Sequence, residues 1–174
     1  MAARAVRPTG VACPFGEEEL IVTKTDLKGR ITYANDVFLR LSKYPLREVI
    51  GAPHSLIRHP DMPRSVFKLL WDTIAAKKEI FAYVLNMAAD GDHYWVFAHV
   101  TPTLDGGQAL VGYHSNRRKP SAAQIARIEP LYGELRAEEQ RHDNRKDGMA
   151  RGYELLMSKL RDKGLQYDEF VFAV

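Results

Sequence analysis

The strongest constraint on the fold lies in the second half of the chain. Three β-rich segments follow one another: IFAYVLN (80–86), HYWVFAHVT (93–101) and QALVGYHSN (108–116). β-Branched and aromatic residues dominate them, and DGD (90–92) and DGG (105–107) supply the turns. They read as a three-strand meander. Side chains alternate across a strand. In the first segment Ile80, Ala82, Val84 and Asn86 therefore face one way, and Phe81, Tyr83, Leu85 and Met87 the other. In the second, Tyr94, Val96, Ala98 and Val100 oppose His93, Trp95, Phe97 and His99. An antiparallel sheet with one wet face alternates apolar with polar, and neither set here is polar enough for that. Both faces must be covered. Helices preceding the meander cover one; the other needs the C-terminal helices, the N-terminal arm or another chain.

Upstream, ELIVTKTD (19–26) and RITYAN (30–35) read as a hairpin closed by LKG, with Gly29 available for positive φ. Asn35 is placed to cap a helix whose apolar face is Val37, Phe38 and Leu41. YPLREVIG (44–51) is a short helix with Pro45 in its first turn and Gly51 as its stop. A longer helix runs from Pro63 to about Lys77, with Phe67, Leu70, Trp71 and Ile74 at helical spacing. The class is α+β: a five-stranded antiparallel sheet with short helices on one face, plus a C-terminal helical extension. Residues 1–18 read as an arm punctuated by Pro8, Gly10, Pro14 and Gly16, residues 19–118 as the domain, and residues 119–174 as the extension.

In the extension, Ser121 and Gln124 form a partial capping box, and Ile125, Ile128, Leu131 and Leu135 an apolar stripe. HDNRKDG (142–148) breaks that helix. The next carries Met149, Tyr153, Leu156 and Leu160 as a heptad seam, which suits packing onto the sheet and a dimer or receptor contact equally. Gly164 ends it, and LQYDEFVFAV closes the chain as a mostly apolar tail.

With 25 basic and 22 acidic residues, the net charge of +3 is too even to point to nucleic acid. The one run of three basic residues, RRK at 117–119, reads as a solvated turn. A single cysteine, Cys13, permits no internal disulfide and fits a reducing cytoplasm. No secretory signal or bilayer-spanning stretch is visible. The six histidines show no metal-ligand spacing. No Ser–His–Asp order or Gly-rich phosphate loop points to an enzyme.

One stretch is left over. LIRHPDMPRS (56–65) places Arg58, His59 and Asp61 within four positions, pinned by Pro60 and Pro63. That is either a stiff turn holding an Arg58–Asp61 ion pair or a built pocket wall. Together with AND (34–36), DGDHYWV (90–96) and EPLY (129–132), RHPDMP (58–63) resembles the PAS domain of bacterial aerotaxis receptors, over about residues 19 to 133. Where that family often carries a tryptophan at the start of the first meander strand, this chain has Ile80 and Phe81.

The resemblance implies a cytoplasmic PAS sensor that holds FAD non-covalently and reports redox or oxygen state. It implies a stand-alone module signalling to a methyl-accepting chemotaxis-type transducer or its HAMP and signalling region. It is also compatible with a homodimer formed through the arm, the outer sheet face or the C-terminal helices. As flavin-supporting residues it implies Arg58, His59, Asp61, Trp71, Asn86 and Asn35. Chemically, the Asn86 carboxamide can read the pyrimidine edge of a flavin with both a donor and an acceptor. Arg58 can take a pyrophosphate bidentately, His59 can add a donor, and Asp61 can orient either of them. The plainer readings are that Trp71 is core and that backbone atoms partner Asn86. Cys13 lies in the arm, so the likeness does not extend to a cysteine–flavin photoadduct. Two rival functions remain: a PAS gas sensor or interaction module with haem (on His59 or His93) or no cofactor, and a small flavoenzyme.

Overall fold

The computed structural model describes residues 6–174; residues 1–5 of the expected arm lie outside them. The hairpin forms as β1 (Ile21–Thr25) and β2 (Ile31–Ala34), and the meander as β3 (Ile80–Met87), β4 (His93–Leu104) and β5 (Leu110–Arg118). All pairings are antiparallel, in the order β2-β1-β5-β4-β3. Between hairpin and meander come α1 (Asp36–Ser42), α2 (Leu46–Val49), a 3₁₀ turn (His54–Ile57) and α3 (Arg64–Ala75).

Local chemistry accounts for these elements. The Asn35 carboxamide oxygen accepts from the N–H of Phe38 (3.1 Å) and of Val22 (3.0 Å), and its NH₂ donates to Leu20 O (2.8 Å). It caps α1 and ties it to β1 in one step. Gly29 takes φ +75° in the hairpin turn, and a Cβ there would lie 2.9 Å from the Trp71 ring. The position needs glycine for its backbone and for its neighbour.

The inner face of the sheet packs Ile21, Ile31, Val84, Val96 and Ala98 toward Phe38, Val66, Leu70 and Ile74 of the helices. The outer face is covered by the chain itself on its β3–β4 side, while Lys24 and Tyr33 on the β1–β2 side are exposed. Here α4 (Ala122–Gln140) and α6 (Tyr167–Ala173) bring Ile128, Tyr132, Leu135 and Val171 to the β3–β4 side, where Tyr83 and Leu85 are buried. The Tyr132 hydroxyl donates to Tyr83 O across 2.6 Å, and Phe172 packs on Phe81 at 4.7 Å. The arm extends the sheet beside the first residues of β4, which β5 does not reach: Cys13 N–H donates to His93 O (2.7 Å), and His93 N–H to Val11 O (2.8 Å). Cys13 and Phe15 are buried there.

The extension differs from its sequence reading in three places. The break between its helices spans only residues 141–144, because Asn144 caps Lys146 and Asp147 and starts α5 (Arg145–Lys163) early. The buried line of α5 is Gly148, Gly152, Leu156 and Leu160; Met149 and Tyr153 are half-buried beside it. This line packs on α3 and α4, not on the sheet. The two glycines are there for close approach: a Cβ at Gly148 would lie 2.4 Å from Glu139 O, and one at Gly152 2.8 Å from Glu139 Cγ. Finally, the apolar tail is α6, held by a reciprocal cap between Gln166 and Glu169.

Candidate functional site

Between the inner sheet face and α3 lies a cavity of about 340 Å³. Its walls are apolar: Phe67, Leu70 and Ile74 from α3, Val84 from β3, Ala98 and Val100 from β4. Exposed Lys28, Pro53 and Ser55 and the 37 % exposed Trp71 stand at its rim. Thr23, Thr25, His54, Arg58, Asn86 and Arg117 add polar groups. Helical spacing aims the α3 residues inward, and strand alternation aims Val84 and Asn86.

Five buried side-chain polar atoms among the described residues lack a hydrogen-bond partner: Thr25 Oγ1, Arg58 Nη2, Asn86 Nδ2, Tyr94 Oη and Arg117 Nε. All but Tyr94 belong to residues lining this cavity. A buried polar group without a partner costs about 1–3 kcal/mol, and such groups are rare in native proteins. Their convergence on one cavity makes it the candidate site for a guest that supplies partners.

Of the six residues singled out in the sequence, Arg58, Trp71 and Asn86 line the cavity. Asn86 is 3 % exposed, and its NH₂ finds no backbone partner. Its backbone bridges that of Arg58, whose guanidinium lies 4.0 Å from the Phe67 ring centroid. Burial lowers the Arg58 pKa, as do Arg64 and Arg145 nearby, while Glu139 opposes them. Trp71 stands edge-on to Tyr113 at 5.6 Å.

Asn35, His59 and Asp61 lie outside the cavity lining. All of Asn35's hydrogen bonds above go to backbone. His59 is buried and accepts the Asp61 N–H on Nδ1 (3.0 Å), so it braces its own turn as a neutral ring. Burial holds its pKa below the usual histidine value. Asp61 turns outward to Arg136 of α4 (3.1 Å), so the Arg58–Asp61 ion pair, one of the two readings of this turn, does not form. A tight turn sends neighbouring side chains in different directions, which is why one motif splits three ways. His93, the other histidine considered for haem, is also absent from the lining.

The sequence reading missed two groups. Arg117 is not in a solvated turn: β5 runs on to Arg118, and strand alternation carries Arg117 inward with Tyr113 and Ser115. It is 2 % exposed. It donates to Thr23 Oγ1 and approaches His54 Nε2 at 3.4 Å. Burial pulls its pKa down to about 10. Burial, with Arg117 beside it, lowers His54 to about 3. The second is Glu139 of α4, 8 % exposed. It accepts from Arg64 N–H (3.0 Å), Ser65 N–H (2.8 Å) and Ser65 Oγ (2.8 Å). Pro63 gives α3 no side-chain cap, so a residue from the extension caps it instead.

This sheet, its inner helices and the cavity between them are those of the PAS fold, and the chain belongs to that family: the PAS fold model matches residues 31–115. Within the family its sequence is 40% identical over 124 residues to the aerotaxis receptor of Escherichia coli (strain K12), covering 71% of this chain and 24% of the receptor. It is 27% identical over 107 residues to the nitrogen fixation regulatory protein of Klebsiella pneumoniae, covering 62% and 22%. The chain thus spans about a quarter of these relatives or less. Among solved structures, a light-oxygen-voltage domain studied with a flavin analogue superposes with a TM-score of 0.58 at 21% identity, covering 71% of this chain and 90% of that one. The light state of the Aureochrome1 light-oxygen-voltage domain superposes with 0.55 at 24% identity, covering 67% and 91%. These two likenesses are of fold. Among the described residues no helix is long and apolar enough to cross a membrane, and no cluster of His, Cys, Asp and Glu suits a metal ion.

Proposed function

We propose that this chain is a non-enzymatic PAS sensor that binds a flavin, FAD, and relays cellular redox or oxygen state to a chemotaxis-type transducer in the cytoplasm. The observation that carries the reading is the apolar slot ringed by unpartnered Asn86, Arg58, Thr25 and Arg117. A flat ring with an apolar middle and a polar edge complements it. Similarity to the aerotaxis receptor supports the same reading. The cavity stands at the small end of ligand pockets, which run from roughly 300 to 1,000 Å³. It suits the ring and part of its side chain, leaving the dinucleotide tail to pass Arg58 or the rim.

When bound, the flavin would supply a redox-dependent charge and protonation pattern along its edge. The protein's part is to read it. The Asn86 carboxamide can turn to present either its donor or its acceptor. The relay has two anchors on α4: Tyr132 holds the outer side of β3, the strand that bears Asn86, and Glu139 holds the start of α3, the opposite wall. A shift in either wall therefore reaches the extension, where we place contact with the transducer and, with the arm, with a second copy of the chain. Only a differential interaction with the two redox states can drive such a shift.

Purified protein should show the two-banded visible spectrum of a flavin, and heat should release FAD. Hydrogen exchange should then differ between oxidised and reduced forms in β3, α3 and α4. A Soret band, or a colourless protein that binds no added flavin, would refute the reading.

A further inference from the structure

We propose that Arg117, with Thr23 and His54, forms an anion-binding subsite on the β1–β5 side of the cavity, so that the guest carries negative charge at that point. Arg117 is 2 % exposed, yet no carboxylate among the described residues acts on it; burial and Tyr94 alone set its pKa. Tyr94, the nearby acidic group, is held well above the usual phenol pKa by burial and stays neutral. The Phe38 ring lies 5.5 Å away, and Thr23 and the neutral ring of His54 are uncharged partners. Nε has no partner at all. A buried charge is retained only when paired, and Arg117 is one of the residues that line the cavity.

Thr23 and His54 fit this role. The Thr23 hydroxyl accepts from Arg117 and lies 3.2 Å from His54 Nε2, so the guanidinium is held in place without being neutralised. Asn86 pairs with Tyr94 across β3–β4, and Arg117 pairs with Ala98 across β4–β5. The two therefore stand on inner faces of strands two spacings apart, about 10 Å across the sheet, and four residues, about 13 Å, along it. They serve different parts of one extended guest. The identity of the anion, ring edge or phosphate, rests on the flavin reading; the subsite does not.

Arg117→Met keeps the length of the stem and removes the charge. Ligand-free Arg117→Met is expected to melt several degrees above ligand-free wild type, because an uncompensated buried charge has gone. Its affinity for FMN and FAD, measured by calorimetric titration, is expected to fall at least tenfold. A loss confined to FMN and FAD assigns phosphate to the subsite; a loss shared by riboflavin assigns the ring edge. Melting in sodium phosphate against sodium chloride at equal ionic strength reads the subsite without any flavin. Phosphate should stabilise wild type and not the variant, even if the flavin reading itself fails. Thr23→Val, which frees the guanidinium, should weaken the same ligands and provides the second variant if the first does not fold. Equal responses of wild type and variants to all four probes would overturn the subsite.

Discussion

Glu139→Ala tests how the extension is joined to the sensor. The carboxylate accepts three hydrogen bonds at 2.8–3.0 Å, two of them from the first N–H groups of α3. A hydrogen bond to a charged group contributes about 1.5–3 kcal/mol net. The sum overstates the loss, because a neighbouring polar pocket of about 170 Å³, lined by Arg64, Arg136, His142 and Arg145, lets water reach the freed donors. The expected destabilisation is about 3–4 kcal/mol. For a chain of this length that is a drop of about 10 °C in Tm, at roughly 2–4 °C per kcal/mol. Glu139→Gln keeps one acceptor oxygen and should lose about half as much. The control is Glu138→Ala, whose carboxylate pairs only with Arg141 (2.7 Å) and His142 (3.3 Å) near the surface; such pairs contribute about 0–1 kcal/mol. Urea unfolding followed by circular dichroism measures all three. If Glu139→Ala loses no more than Glu138→Ala, the cap is not what fastens α4 to α3.

Asn86→Leu removes the unpartnered amide, so the ligand-free protein should be unchanged or more stable while flavin affinity falls at least tenfold; fluorescence titration and a melting curve check both. His54 gives a pH signature. Above pH 6.5 neither the folded nor the unfolded state binds its proton; between 6.5 and about 3 only the unfolded chain does, so stability falls as pH falls. At pH 5 the loss is about 2 kcal/mol, and it should be missing from the wild-type minus His54→Asn difference only if His54 is not enclosed; urea titrations at pH 7 and 5 decide. Gly152→Ala should destabilise by about 1–3 kcal/mol through overlap with Glu139, against a helix-propensity gain of about 1 kcal/mol. Gly133→Ala in α4, where a Cβ meets open space, should show that gain alone.

The meander, the hairpin turn at Gly29 and the caps at Asn35 and Ser121 were legible in the sequence because each depends on neighbours a few residues away. So was the inward placement of Asn86, which follows from alternation alone. Arg117 was within reach of the same rule; the basic run RRK hid a strand that simply continues. The RHPDMP motif could not be resolved from spacing, because a turn scatters Arg58, His59 and Asp61 to the cavity, the backbone and α4. Glu139 was not legible at all: its partners lie 74 and 75 residues away, and nothing in EEQ distinguishes it from its less buried neighbours. The short α6 was read as tail because its seven residues carry too little periodicity, and its cap uses glutamine.

The account stands on a planar guest between α3 and the meander, held by the amide at position 86. Its most direct test is the side-chain NH₂ resonance pair of Asn86, followed by ¹⁵N NMR while flavin is added to ligand-free protein. The pair should shift and gain protection from solvent exchange, then shift again on reduction. Saturating flavin that leaves both signals where they were would contradict it.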